Sequence, residues 1–409
     1  ERLDKEALWM IAPIAQRPAH PLNAQMAGTF APPVMEARRW LEGMHFPAER
    51  PLLNVSQAAP IAPPPLALRQ ALAEAALNDD SAHLYGPVLG YAPLRAELAQ
   101  QWSAAYGGTI HPDQVAITAG CNQAFCAAIA TLAGTGDQVI VPTPWYFNHK
   151  MWLDMQGVET VALPTGPSLI PDAEHAAALI TQATRAIVLV SPNNPGGVEY
   201  PAETLAAFYR LAQSRGLALI VDETYRDFDT RSAAPHALFS DTDWPQTLIH
   251  LYSFSKAYRL TGHRVGALVA GQARMAEIEK FLDTVTICPN QLGQRAALWG
   301  MQNLGAWLAE ERLEILARSA AMRQGFARLE GWRLLGCGAY FAYAEHPFVL
   351  PSNVLSRALV QKAHVLTLPG TMFTPSNDTA GPRQIRIAFA NIDRTEIATL
   401  FDRLVGFAP

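Results

Sequence analysis

Seven short apolar runs punctuate the middle of the chain: QVAIT (114–118), QVIVP (138–142), ETVAL (159–163), RAIVLV (185–190), LALIV (217–221), LIHLY (248–252) and VGALVA (265–270). A strand that is apolar along its whole length must be covered on both faces. Helix-length stretches such as CNQAFCAAIATLA and PAETLAAFYRLAQSRG lie between several of these runs. Together they predict an α/β fold, with a mostly parallel sheet sandwiched by helices.

The rest of the chain arranges itself around that block. A proline-rich connector, LNVSQAAPIAPPP, spans 53–65. Beyond residue 298 a long helical segment precedes two candidate strands near WRLLG and AYFAYAE. We therefore expect a large domain over 51–297 and a smaller α+β domain over 298–409. The N-terminal segment 1–50, with a helical patch at MEARRWLEGM, is expected to pack with the small domain.

Composition excludes several classes of function. Half of the 409 residues are hydrophobic and 16% are charged, enough to build a large core. A net charge of −5 argues against nucleic acid as a partner. No run of about 18 apolar residues is present, so no membrane span is expected. The stretch ERLDKEALWMIAPIAQ is charged and does not read as a signal peptide. Cys121, Cys126, Cys288 and Cys337 have no metal-binding spacing, so no metal is expected. They fit a reducing, cytoplasmic compartment.

In an open α/β sheet, ligands bind outside the carboxyl ends of the strands. Five of the runs are followed by AGCNQAF, TPWYFNH, SPNNPGG, DETYRDF and SFSK. Each alone has an ordinary structural reading: a tight turn, core aromatics, a proline turn, a helix cap, a snorkelling lysine. A parallel sheet would bring all five to one crevice. Gly120 would let the backbone approach a phosphate, and the helix after it would offer free amides. The stretch is neither a dinucleotide fingerprint nor a P-loop.

Lys256 lies in LYSFSKAYRLTGHRVG, with no acidic residue between Asp243 and Glu277 to pair with it. Only five of the 31 Lys and Arg residues are lysines. A desolvated lysine has a lowered pKa and forms Schiff bases with carbonyls. Pyridoxal 5′-phosphate requires such a lysine, a carboxylate for its ring nitrogen and a phosphate cup. All three are available at strand ends. Arg386, in RQIRIAFA, alternates with Ile385, Ile387 and Phe389 and so faces away from them.

Taken together, YGPVLGYAPLR, SPNNPGG, VDETY, SFSKAYRLTGHRVG and RIAFA resemble the class I/II aminotransferases, which have the aspartate aminotransferase fold (fold type I). The resemblance runs from about Leu53 to Phe389. It implies that Lys256 carries the Schiff base and shuttles a proton, and that Asp222 pairs with the ring nitrogen. It implies that Tyr225 and Asn194 bond the phenolic oxygen, that Tyr146 stacks on the ring, and that His149 contacts Asp222. The amides of Gly120, Cys121 and Asn122, with Ser253, Ser255 and Arg264, would form the phosphate cup. Tyr85 would reach the phosphate in a neighbouring subunit, which implies a homodimer with shared sites. Arg386 would grip the α-carboxylate of an amino acid or 2-oxo acid, with Asn194 and Ala58 beside the substrate.

Two departures stand out. NVSQAAP places Ser56 and Ala58 where relatives carry glycines, and Cys121 and Asn122 replace the usual residues of the phosphate loop. No second arginine is legible for a dicarboxylic side chain, which disfavours aspartate as donor. Trp145, Tyr146, Phe147 and Trp152 suit a neutral or aromatic substrate, although core packing explains them equally. The same residues also serve a C–S lyase, a cyclopropane-forming synthase or an oxidase. A ligand-sensing regulator is a third reading, but segment 1–50 is too short for the DNA-binding domain it would need.

Overall fold

The computed structural model describes residues 22–60, 62–231 and 233–409. The stretch tested above for a signal peptide lies outside the described residues. All seven apolar runs are strands of one sheet: β1 (Val115–Thr118), β2 (Gln138–Thr143), β3 (Glu159–Pro164), β4 (Thr184–Val190), β5 (Ala218–Asp222), β6 (Leu248–Ser253) and β7 (Gly266–Val269). Their order is β1-β7-β6-β5-β4-β2-β3. Six run parallel; β7 lies antiparallel between β1 and β6.

The apolar runs dictate this arrangement. Ile187, Val188, Leu189, Leu219, Ile220 and Val221 are each 0% exposed, because helices cover both faces of the central strands. Burying each such side chain stabilises the fold by roughly 1.5–3 kcal/mol. Helices Ala92–Tyr106 and Ala202–Arg215 both stop at a left-handed glycine, Gly107 and Gly216. Register then aligns the strand ends: Val190 pairs with Asp222, and Asp222 with Leu251. The segments leaving β4, β5 and β6 therefore open at one level, at the crevice expected of such a sheet.

The C-terminal part holds a smaller antiparallel sheet. Its main strands are β8 (Arg333–Gly338), β9 (Phe341–Glu345) and β10 (Gln384–Ala388), with β9 in the middle. A two-residue strand, Leu368–Pro369, adds to the far side of β10. The 22-residue helix Gly305–Phe326 and the helix Arg394–Leu404 cover this sheet through Ile315, Met322, Phe326, Ile397 and Phe401. The 297/298 boundary falls inside the helix Gln291–Asn303, whose Ala296, Ala297 and Met301 belong to the large-sheet core. The described part of the N-terminal segment forms a one-turn helix, Ala24–Gly28, and then the helix Pro33–Arg39. Ala37 of the second packs with Tyr343, Leu366 and Phe373, but also with Phe147 and Met151, so this helix touches both bodies.

Candidate active site

The strand ends enclose a cavity of about 350 Å³. Lys256 enters it from the short helix Phe254–Ala257, directly after β6. Ser253 caps that helix, its Oγ accepting from the Ser255 amide at 3.3 Å. Lys256 is half-buried, and its Nζ donates to the Ala58 carbonyl at 2.6 Å. Burial, with the Arg264 and Arg386 guanidiniums adding to it, pulls its pKa down to about 8.

Asp222 ends β5 and is buried. Burial pushes its carboxyl up. His149 and the Thr224 amide, which donates to Oδ1 at 3.0 Å, override this and hold it below the ordinary value. His149 Nε2 stands 3.3 Å from Oδ2, close enough for charge pairing but not aligned as a hydrogen bond. The His149 ring is fixed by stacking on Phe125 at 3.9 Å and by the edge of Tyr146 at 4.9 Å. The Tyr146 hydroxyl accepts from Asn148 at 2.8 Å and donates to Asn122 Oδ1 at 3.2 Å. Burial pushes its phenol up to about 12. Tyr225 is buried against the edges of Tyr340 and Phe341, and its phenol is likewise raised by burial.

The turn after β1 is built for close approach. Gly120 has φ +89°, and a Cβ there would sit 2.1 Å from Arg264 Nη2. The helix Cys121–Ala130 that follows has no side-chain cap, so the amides of Cys121 and Asn122 are open donors. The Gly120 amide is not: it donates to the Thr118 carbonyl at 2.8 Å. Its expected part in the phosphate cup is corrected to a spatial one, the missing Cβ. Arg264 donates to Ser255 Oγ at 3.3 Å and to the Thr261 carbonyl at 2.9 Å, which keeps it beside those open amides.

Arg386 comes from β10 of the small sheet and is 2% exposed. Nη1 donates to Asn194 Oδ1 at 2.9 Å and Nη2 to the Ser56 carbonyl; Nε has no partner. Burial pulls its pKa down to about 10. The rings of Phe373 and Phe341 stand 4.9 and 5.2 Å from the guanidinium. Of its five N–H donors two are used, and three remain for a carboxylate.

Thus Lys256, Asp222, Tyr225, Asn194, Tyr146, Cys121, Asn122, Ser253, Ser255, Arg264, Arg386 and Ala58 line one cavity, with His149 behind Asp222. Tyr85 does not: it is 81% exposed on the outer surface. Several lining residues escaped the sequence. Thr224 and Asn148 are neighbours of recognised positions, and strand-end position was their only signal. Arg38 and Gln57 carried none. Arg38 is a second arginine on the cavity that was not legible in the sequence: it lines the cavity from the helix Pro33–Arg39 and donates to Gln57 Oε1.

A donor-rich cup, a carboxylate held ionised and an amine held near neutrality form a distinctive combination. Residues 51–404 match the family Aminotransferase class I and II. The chain belongs to this family. This aminotransferase is 31% identical to a valine–pyruvate aminotransferase from Mycobacterium tuberculosis, over 83% of this chain and 87% of that one. It is 28% identical to a methionine aminotransferase from Escherichia coli (85% and 90% covered) and 27% identical to an aromatic aminotransferase from Arabidopsis thaliana (78% and 80%). Its fold matches the aspartate aminotransferase of Thermus thermophilus with TM-score 0.85 at 23% identity, over 95% of this chain and all of that one. The enzyme is a transaminase, its cofactor is pyridoxal 5′-phosphate, and its substrates are amino acids and 2-oxo acids. The residues present fit that cofactor. The Gly120–Arg264 cradle would be filled by a single Cβ, and open amides, a carboxylate held ionised and an amine of lowered pKa are the three kinds of group the cofactor requires. No helix among the described residues is long and apolar enough to cross a membrane.

Proposed function

We propose that Lys256 is the covalent anchor of pyridoxal phosphate and the residue that moves the substrate's Cα proton during transamination. The observation that carries this reading is the Lys256 amine itself. Among the described residues it faces the cavity without a carboxylate partner, its pKa lowered to about 8 by burial and two arginines. When bound, the cofactor supplies an electron sink for negative charge developing at Cα. Asp222, kept anionic by His149 and Thr224, would pair with the protonated ring nitrogen. Asn194 and Tyr225 would bond the ring oxygen, and Tyr146 would stack beside the ring. The Cys121 and Asn122 amides, Ser253, Ser255 and Arg264 would hold the phosphate. Arg386 clamps the α-carboxylate while Asn194 and Ser56 hold the guanidinium plane. Ala58 lends its carbonyl to Lys256.

Substrate class follows from the far wall. Val34, Met35 and Phe147 give it an apolar side, which suits a neutral or aromatic donor. The names of the similar proteins include valine, methionine and aromatic donors. Arg38 at the mouth supports a second, acidic 2-oxo acid as acceptor, since among the described residues its guanidinium donates only to neutral Gln57 and Met35. We also propose a homodimer in which Tyr85 completes the partner's phosphate cup; its 81% exposure beside 66%-exposed Leu84 favours this. Four free cysteines accord with a cytoplasmic location.

The test is a single-turnover screen of amino acids against the purified enzyme, following loss of the cofactor's visible band. The expected result is stoichiometric 2-oxo acid together with the amine form of the cofactor. Lysis products without that amine form would assign a lyase instead. Wild-type turnover in Lys256→Ala would remove the lysine from the chemistry.

A further inference from the structure

Beneath the cavity lies a second set of ionisable side chains that the reaction does not use. Strand alternation at the end of β5 sends Asp222 to the cavity and its neighbour Glu223 into the opposite face of the sheet. Glu223 is 0% exposed. Its Oε2 accepts from the Tyr106 hydroxyl and lies 2.8 Å from His250 Nε2; its Oε1 faces His236 Nε2 at 3.6 Å. These groups come from three places: the end of helix Ala92–Tyr106, β6, and the loop before Leu238. The Tyr106 and His236 rings stack at 4.6 Å, and the edge of His250 meets Tyr106 at 5.7 Å. At the rim, Arg226 lies over Trp102 at 4.0 Å, and Asp227 accepts from the Tyr252 hydroxyl at 2.8 Å.

Two histidines and a carboxylate whose donor atoms lie within 4.8 Å of one another could hold a metal ion. The His236 tautomer speaks against it. Its Nδ1 accepts from the Leu238 amide at 3.2 Å, so the ring proton sits on Nε2 and points at Glu223. A ligating histidine needs the reverse, a free Nε2 lone pair with the other nitrogen donating outward. The cluster is instead a buried carboxylate bonded at Oε2 by Tyr106 and His250, with the His236 N–H close to Oε1 but not hydrogen-bonded to it. Burial pushes Glu223 up, but the histidine donors more than offset this and keep it ionised. Such a carboxylate is fixed in place, because losing any donor leaves buried charge uncompensated.

We propose that Glu223 is a positioning residue for the cofactor. Hydrogen-bonded to two separate elements and facing a third at His236, it pins the turn from Asp222 to Phe228, and so sets where Asp222 and Tyr225 stand in the cavity. Along that turn residues 222 and 225 face the cavity while 223, 226 and 227 face the cluster. A shift at Glu223 is therefore transmitted one residue away to the ring-facing carboxylate. This inference rests on the reading of the cavity as the pyridoxal phosphate site.

The test is reconstitution of apo-enzyme with pyridoxal phosphate, with Kd and the pH titration of the cofactor's visible band read by absorbance. Glu223→Gln is expected to raise Kd roughly tenfold and to move that titration. In an Asp222→Asn background the same change is expected to add little, because both act through one group. His236→Leu guards against misfolding of the Glu223 variant and is expected to reproduce the shift. His236→Gln, which keeps a donor at the Nε2 position, is expected to restore wild-type values. Folded Glu223→Gln and His236→Leu with unchanged Kd and spectrum overturn the proposal, as does additive loss in the Asp222→Asn background. One equivalent of metal in the purified wild type that is lost from His236→Leu also overturns it. If wild-type apo-enzyme binds no pyridoxal phosphate, the reading of the cavity fails instead.

Discussion

Lys256 and Arg386 are cations that the fold keeps away from carboxylates, and each has a measurable signature. An amine must be neutral to attack an aldehyde. With its pKa at about 8 rather than 10.5, capture of the cofactor by apo-enzyme should quicken about tenfold per pH unit and level off above pH 8. Stopped-flow absorbance from pH 6 to 9.5 reads this; a rate still climbing steeply above pH 9 contradicts it. The stability sign follows from the same shift. Between about pH 8 and 10.5 the unfolded chain binds the proton that the folded chain has lost, so apo-enzyme stability from this group rises with pH across that window and is flat below it. Arg386→Lys keeps a charge but loses the fork, and kcat/KM should fall about 10- to 100-fold, mostly through KM. An unchanged KM would detach Arg386 from the carboxylate. Asp222 and Lys256 were legible as cavity residues because polar groups after several parallel strands converge on one crevice, although each alone has an ordinary reading. Arg38 was not: its role depends on a helix 19 residues before its partner Gln57 folding over the cavity.

At the scale of elements, the turn from β1 into the helix Cys121–Ala130 is the most exacting. Gly120→Ala places a Cβ 2.1 Å from Arg264 Nη2 on a backbone with φ +89°. A backbone with positive φ and ψ +165° is a region essentially only glycine adopts and costs a residue with a Cβ about 1–3 kcal/mol, and Arg264 must also leave the open amides. The expected outcome is a lowered melting temperature together with cofactor Kd raised at least about tenfold, measured on the reconstituted enzyme. A melting shift with unchanged Kd would confine Gly120 to the fold. The seven strands were legible to within a residue or two, because two-sided burial leaves continuous apolar runs. The direction of β7 was not. VGALVA is as apolar as its parallel neighbours, and only the short path from Ala257 to Val265, with no crossover helix, makes it run back along β6. The use of Gly120 was half legible: its backbone freedom shows in the sequence, the diversion of its amide to Thr118 does not.

At the scale of the molecule, three bodies meet over one short segment. The carbonyl of Ser56, the side chain of Gln57 and the carbonyl of Ala58 accept from Arg386, Arg38 and Lys256 respectively. The small sheet, the N-terminal helix and the large sheet are thereby registered on one another at the site. The proposed partner of the phosphate cup, lined by Cys121, Asn122, Ser253, Ser255 and Arg264, is Tyr85 of a second copy. That geometry makes a sharp forecast. Lys256→Ala subunits lack the anchor and Tyr85→Ala subunits lack the donated hydroxyl, so each homodimer should be impaired at both of its sites. Mixing the two under subunit exchange creates heterodimers in which one site carries Lys256 from one subunit and Tyr85 from the other. Full random exchange of equal amounts should restore about a quarter of the sites to wild-type cofactor affinity, with the other site of each heterodimer doubly impaired. Cofactor titration of the mixture against its separate components measures the gain. No gain after exchange, shown to be complete by mass-tagged subunits, would place Tyr85 outside the site and leave each cavity to be completed within its own chain.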